Sequence, residues 1–139
     1  MDVAIACEEE IVGLHRFFQE WFLGGFSDRV RGFKRFSDVM APGFAMVTPR
    51  GVATALPDLS AGLRGAFGTW EKGSSIEVVD VSLRHVHADL ALLTYVERQH
   101  VNGKDTARLS TVLMRQHEAT PNGVQWLHVH ETWMPGQAG

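Results

Sequence analysis

The 139-residue chain is 45% hydrophobic and 21% charged, with a formal net charge of −3, the make-up of one globular domain (1–139) with an ordinary core. The acidic balance and the lack of a basic stripe argue against a nucleic-acid partner, and no apolar run nears the roughly 18 residues a membrane span needs. The one cysteine, Cys7, excludes an internal disulfide and points to a reducing cytoplasm, while Met1 to Cys7 lacks the basic start of a signal peptide.

Glu8 to Phe22 has the pattern of a first helix. Three glutamates open it, which suits the positive end of the helix dipole. Ile11, Leu14, Phe18, Trp21 and Phe22 recur at helical spacing as one apolar stripe, and Gly24-Gly25 ends the helix. His15 falls within that stripe. It is either a core-edge histidine with a satisfied hydrogen bond or a pocket histidine able to act as acid or base near neutrality. Cys7 is expected in a frayed N-terminus, a poor setting for a nucleophile. Asp28 to Met40 is a shorter basic amphipathic segment. Val30, Phe33 and Phe36 share its apolar face; Arg29, Arg31, Lys34 and Arg35 are expected to be solvated. Ala41-Pro42-Gly43 breaks it. Phe44 to Thr48 is a short strand, Pro49-Arg50-Gly51 turns it, and Val52 to Ala55 is a candidate second strand. Leu56-Pro57-Asp58 opens a third helix, with Asp58 or Ser60 as cap, that runs to about Trp70.

After Lys72-Gly73-Ser74 the pattern switches from helical to alternating. Ile76 to His87, Leu90 to Val101, Thr106 to His117 and Val124 to Trp133 are long strands in succession. Turns at Ala88-Asp89, Asn102-Gly103 and Pro121-Asn122-Gly123 join them. These turns propose a register. Leu83 faces Thr94, and Val81 faces Val96. Thr94 faces Thr111, and Val96 faces Leu109. Leu113, Thr111 and Leu109 then face Val129, Glu131 and Trp133. A slip of one residue would exchange a strand's two faces. One sheet face then carries Leu83, His85, Leu92, Thr94, Val96, Arg98, Leu109, Thr111, Leu113, Leu127, Val129, Glu131 and Trp133. It is the more apolar face, and two apolar helices need such a partner, at roughly 25 cal/mol per Å² buried. It is broken by one polar row, Leu83–Thr94–Thr111–Glu131. A carboxylate buried there carries a raised pKa, and apolar walls with a few placed polar groups are the make-up of a small-molecule pocket. The opposite face carries Tyr95, Met114, Trp126, His128 and His130 among charges. That mixture suits a polar-aromatic interface, most simply a twofold homodimer.

The order of elements, with Phe44-Ala45-Met46-Val47-Thr48-Pro49-Arg50-Gly51, Arg108-Leu109-Ser110-Thr111-Val112 and Trp126-Leu127-His128-Val129-His130, resembles the nuclear transport factor 2-like superfamily over nearly the whole chain. The pieces are most similar to its SnoaL-like and calcium/calmodulin-dependent kinase association-domain branch. The resemblance implies an α+β fold, a cone-shaped barrel whose bent antiparallel sheet wraps N-terminal helices, leaving a pocket at the wide end and a convex face used for dimers. Its ketosteroid isomerases use a tyrosine on the first helix and carboxylic acids on the sheet. Here His15 occupies the comparable helical stretch, and Tyr95 is expected on the other sheet face, so the isomerase oxyanion hole is not evident.

Two functions follow. One is cofactor-free general acid/base catalysis (isomerisation, dehydration or cyclisation) on a small apolar carbonyl compound. Glu131 would move the proton, and His15, or Thr94 and Thr111, would hold the developing oxyanion. The other is a non-catalytic ligand-binding or association module in which Glu131 and Arg98 hold a polar group. Trp133, Trp21 and His85 complete the candidate ligand-binding set. The pairs His85/His87 and His128/His130 are expected on opposite faces, so they cannot share a metal. No elbow-like serine or cysteine and no phosphate-binding glycine loop is present.

Overall fold

Asp2, rather than the glutamates, starts the first helix. Its carboxylate accepts the backbone N–H of Ile5 at 3.1 Å, so α1 runs Val3–Phe22 and Cys7 sits inside it, fully buried rather than frayed. The computed structural model describes residues 1–137. Asp28 caps α2 (Arg29–Ser37) in the same way. Then come β1 (Met40–Val47), β2 (Ala53–Ala55), α3 (Leu56–Gly65), β3 (Ser75–His87), β4 (Leu90–Val101), β5 (Lys104–Gln116) and β6 (Val124–Trp133). The third helix has Pro57 in its first turn, no side-chain cap, and ends before Trp70. The six strands form one sheet in the order β2-β1-β6-β5-β4-β3, antiparallel except for the β1–β6 pair.

Asn102 and Gly103 both take positive φ, at 51° and 80°, as a tight hairpin of the primed type requires. The β4–β5 register is accordingly the expected one, with Thr94 opposite Thr111 and Val96 opposite Leu109. Two bulges alter the flanking ladders. In β3, Asp80 takes a φ of 56°, and Ser82 rather than Leu83 faces Thr94. In β6 the ladder shifts at Leu127: Leu113 pairs with His128 but Met114 with Trp126. From there Glu131 faces Ser110, not Thr111, and Trp133 faces Arg108, not Leu109.

The sheet face under the helices is therefore not the expected one on β4 and β5. Leu93, Tyr95, Val112 and Met114 are buried in the core with Ile11, Leu14 and Phe17 of α1 and with Phe33 and Phe36 of α2. Leu92 and Leu109, assigned inward from sequence, remain 36% and 37% exposed. On β6 the bulge brings Trp126 to the same side as Val129 and Glu131, and all three are buried.

A fully buried carboxylate, Glu10, ties these layers together. It accepts two hydrogen bonds from Arg35 (3.0 and 3.1 Å), one from Asn122 (3.0 Å) and one from the indole N–H of Trp126 (2.8 Å). Arg35 is thus not simply solvated. It pins α2 to α1, Asn122 pins the β5–β6 loop to the same carboxylate, and every lone pair Glu10 offers inside is used.

Candidate functional site

Helix α1 on one side and the inner faces of β4, β5 and β6 on the other enclose a cavity of about 180 Å³. Its wall is apolar: Leu14, Phe18 and Phe22 from α1, Phe36 from α2, Met40, Phe44 and Met46 from β1, and Leu59 and Leu63 from α3. One patch is polar, made of His15, Tyr95, Glu97, Gln99, Arg108 and Glu131. An apolar engineered cavity of about 150 Å³ takes one benzene, so this cavity holds a ligand near one ring in size.

The polar patch is an ordered chain of groups. His15 Nδ1 donates to the Ile11 carbonyl at 2.7 Å, and Nε2 lies 3.1 Å from Glu97 Oε1. A carbonyl only accepts, so Nδ1 carries its hydrogen, and the contact with Glu97 must then hold one more proton. Burial disfavours the imidazolium, but the charge and hydrogen bond of Glu97, with the Ile11 carbonyl and Glu131, outweigh it and raise the His15 pKa. Burial likewise pushes Glu97 up, yet the charge and hydrogen bond of His15, with Arg108 and Gln99, bring it down to about 2. The pair is an imidazolium–carboxylate, and Gln99 Nε2 donates to the second Glu97 oxygen at 2.5 Å.

Glu131 is the counterpart without a close partner. Ser110 Oγ donates to it at 3.3 Å and Arg108 Nη1 at 3.5 Å, both long for charge-assisted bonds. Burial and the negative charge of Glu97 raise its pKa to about 7, against the lowering pull of Arg108, His15 and Ser110. Tyr95 lies edge-on to His15, ring centroids 5.3 Å apart. Burial and the charges of Glu97 and Glu131 push its phenol well above the ordinary range. Glu131 can therefore gain or lose a proton near neutrality, while Tyr95 stays a donor.

Of the residues singled out from sequence, Glu131 and His15 meet in this cavity. Thr94, Thr111 and Arg98 do not line it; they lie on the outer face, where the Thr94 hydroxyl accepts from Arg84 Nε at 2.9 Å. His85 is exposed. Trp21 is core, its indole N–H donating to the Leu63 carbonyl at 2.7 Å. Trp133 lies outside the lining, with the Arg108 guanidinium 5.0 Å over its ring. His15 has both ring nitrogens engaged, so it acts on the cavity through Glu97. Tyr95, expected on the outside, faces inward. Glu97, Gln99, Arg108 and Ser110 were missed, and the signal for them was available. Charged and hydroxyl residues alternate on one face of adjacent strands, opposite a helix that carries a histidine. The pairs His85/His87 and His128/His130 share the outer face through the Leu92–Leu113 ladder, correcting the opposite-face expectation. They stand three strand spacings apart, roughly 14 Å, still too far for one metal. Cys7 is no nucleophile: burial and nearby Glu10 push its thiol up to about 11.

A curved sheet wrapped on three helices over a lined cavity defines an NTF2-like protein. A structure of an NTF-2 like protein of unknown function from Pseudomonas aeruginosa is 30% identical, covering 93% of this chain and 98% of that one, with a TM-score of 0.82. The CaMKII hub of S. rosetta shares the fold at 14% identity and a TM-score of 0.74, covering 96% of this chain and 98% of that one. Within this class, residues 7–135 match the family model described as sucrose-6-phosphate phosphohydrolase C-terminal, and the chain belongs to that family. Sucrose-phosphatase 1 of Nicotiana tabacum is 28% identical over 132 residues, which is 93% of this chain. The chain spans only 31% of the length of that relative. Among the described residues no helix is long and apolar enough to cross a membrane.

Proposed function

We propose that residues 1–139 act as one small-molecule-binding domain whose cavity is equipped for proton transfer without a cofactor. The substrate class is a small, mostly apolar carbonyl compound, and the reaction an isomerisation, dehydration or cyclisation. Glu131, buried among apolar groups and poised near pH 7, carries the reading. It would exchange a proton with the carbon next to the carbonyl. The Tyr95 hydroxyl would donate to the developing oxyanion, a role first given to His15 or the threonines. The His15–Glu97 pair would position the patch and hold Glu131 basic. The cavity does not suit the sugar phosphate in the names of the tobacco relatives, because its wall offers few partners for a ring of hydroxyls.

The test is α-proton exchange of a panel of small enolisable ketones in D₂O, followed by NMR. The wild-type chain should exchange at least one of them faster than buffer, and Glu131→Gln should slow this about 100-fold or more. Wild-type exchange no faster than buffer would withdraw catalysis and leave a binding module.

A second reading, an association module, has its own observation. The outer face exposes Leu92 and Leu109 beside Leu113, and a homodimer through this face would cover them. It differs from the interface expected from sequence, since Tyr95, Met114 and Trp126 point inward and only His128 and His130 of that set are outside. The two readings are compatible, one using each face of the sheet.

A further inference from the structure

Arg108 is the least satisfied group in the cavity. Its Nε is buried with no hydrogen-bond partner among the described residues. Its Nη1 reaches Glu131 only at 3.5 Å, and the guanidinium stacks 5.0 Å over Trp133. A buried guanidinium N–H left unpaired is costly. Nε belongs to one of the two-donor edges through which arginine grips a carboxylate in parallel hydrogen bonds. The Arg108–Glu131 contact is not such a grip, because Glu131 offers one oxygen at long range and turns the other to Ser110.

The charges in the cavity say what would complete it. His15 and Glu97 cancel as an ion pair. Arg108 contributes one positive charge, and Glu131 one negative charge only when ionised. With a proton on Glu131 the cavity therefore has room for one further negative charge, but not two. We propose that the ligand is a small monocarboxylate, its head group seated on Arg108 and its ring-sized apolar body against Phe18, Phe22 and Met46. This rests on the small-molecule reading of the same cavity and names the ligand's chemistry.

Proton uptake accompanies binding. The groups facing Glu131 are His15 from α1, Tyr95 and Glu97 from β4, and Arg108 and Ser110 from β5; α2, α3 and β1 present only apolar side chains to the cavity. A bound carboxylate adds a second negative neighbour beside Glu97, so Glu131 keeps its proton in this complex; the carboxylate is held as a ligand, and Glu131 acts as base only on a neutral carbonyl compound. Affinity should fall about tenfold for each pH unit above the pH where free Glu131 ionises.

The experiment is calorimetric titration of the full chain with phenylacetate, its neutral isostere phenylacetamide, and phenyl phosphate, at pH 6 and pH 8.5. Phenylacetate should bind at pH 6 at least tenfold more tightly than the amide, and at least tenfold more weakly at pH 8.5, while phenyl phosphate, about half dianion at pH 6 and nearly all dianion at pH 8.5, should bind more weakly than phenylacetate at both. Arg108→Gln should lose the acid yet keep the amide, which also reports an intact fold. Glu131→Gln should keep the acid and lose the pH dependence. Equal binding of acid and amide in the wild-type chain, or acid binding unchanged in Arg108→Gln, would overturn the carboxylate assignment and leave the pocket standing. No binding of either ring compound at any pH would overturn both.

Discussion

Two glutamates on β4 and β6, the strands on either side of β5, face the same cavity and end in opposite states. Glu97, with an imidazolium at 3.1 Å and an amide at 2.5 Å, ionises readily; Glu131, with no bond shorter than 3.3 Å, does not. The difference is partners, not burial, since both are about equally inaccessible. It has a consequence for stability. Glu131 and His15 both have folded pKa values above their ordinary ones, so each stabilises the fold at low pH, and that contribution is lost as pH rises through the folded value. Glu97 works the other way, its contribution being lost only as pH falls from about 4.5 toward about 2. Between pH 5 and pH 8 the protein should therefore lose stability, by roughly 3 kcal/mol from Glu131 alone. Urea denaturation across this range should show the loss in the wild-type chain and much less of it in Glu131→Gln. A flat wild-type profile would count against the raised Glu131 pKa.

At the scale of elements, Glu10 joins α1 to α2, to the β5–β6 loop and to β6. Glu10→Ala leaves the Arg35 charge half-buried without its partner and the Trp126 N–H unsatisfied. It should cost about 3–5 kcal/mol in urea melts; a loss under 1 kcal/mol would mean water replaces the carboxylate. The strands also show what the sequence could reveal. Asn102-Gly103 announces its turn, and the β4–β5 ladder follows from it because positive φ at both positions leaves little choice. The β6 bulge at Leu127 has no glycine or proline to mark it, and it moves Glu131 by one place, from opposite Leu109 to opposite Ser110; the Thr111 pairing expected from sequence assumes, in addition, a different closure of the β5–β6 loop. The choice of inner face failed for another reason. Apolar count favoured the Leu92–Val96–Leu109 side, but the helices cover the side where charges pair with each other and with His15. A cavity wall is not a core wall, and counting apolar residues cannot tell an outer interface from an inner one. Glu131 and His15 were legible because each is polar within an apolar pattern.

For the whole molecule, the sheet presents a polar-centred cavity on one face and leucines on the other. If copies associate through the outer face, Leu109→Lys should convert a dimer to monomer in sedimentation with the cavity unaffected. A wild-type chain that is monomeric at high micromolar concentration would contradict the association reading. The chemistry proposed for the cavity does not depend on whether copies associate through the outer face. That chemistry depends on Glu131 holding its proton to near neutrality inside the cavity. The most direct measurement is the carboxyl ¹³C shift of Glu131 followed by NMR from pH 3 to pH 9, assigned by its loss in Glu131→Gln. The midpoint should lie about 7; a midpoint near the ordinary glutamate value of about 4.3 would contradict it.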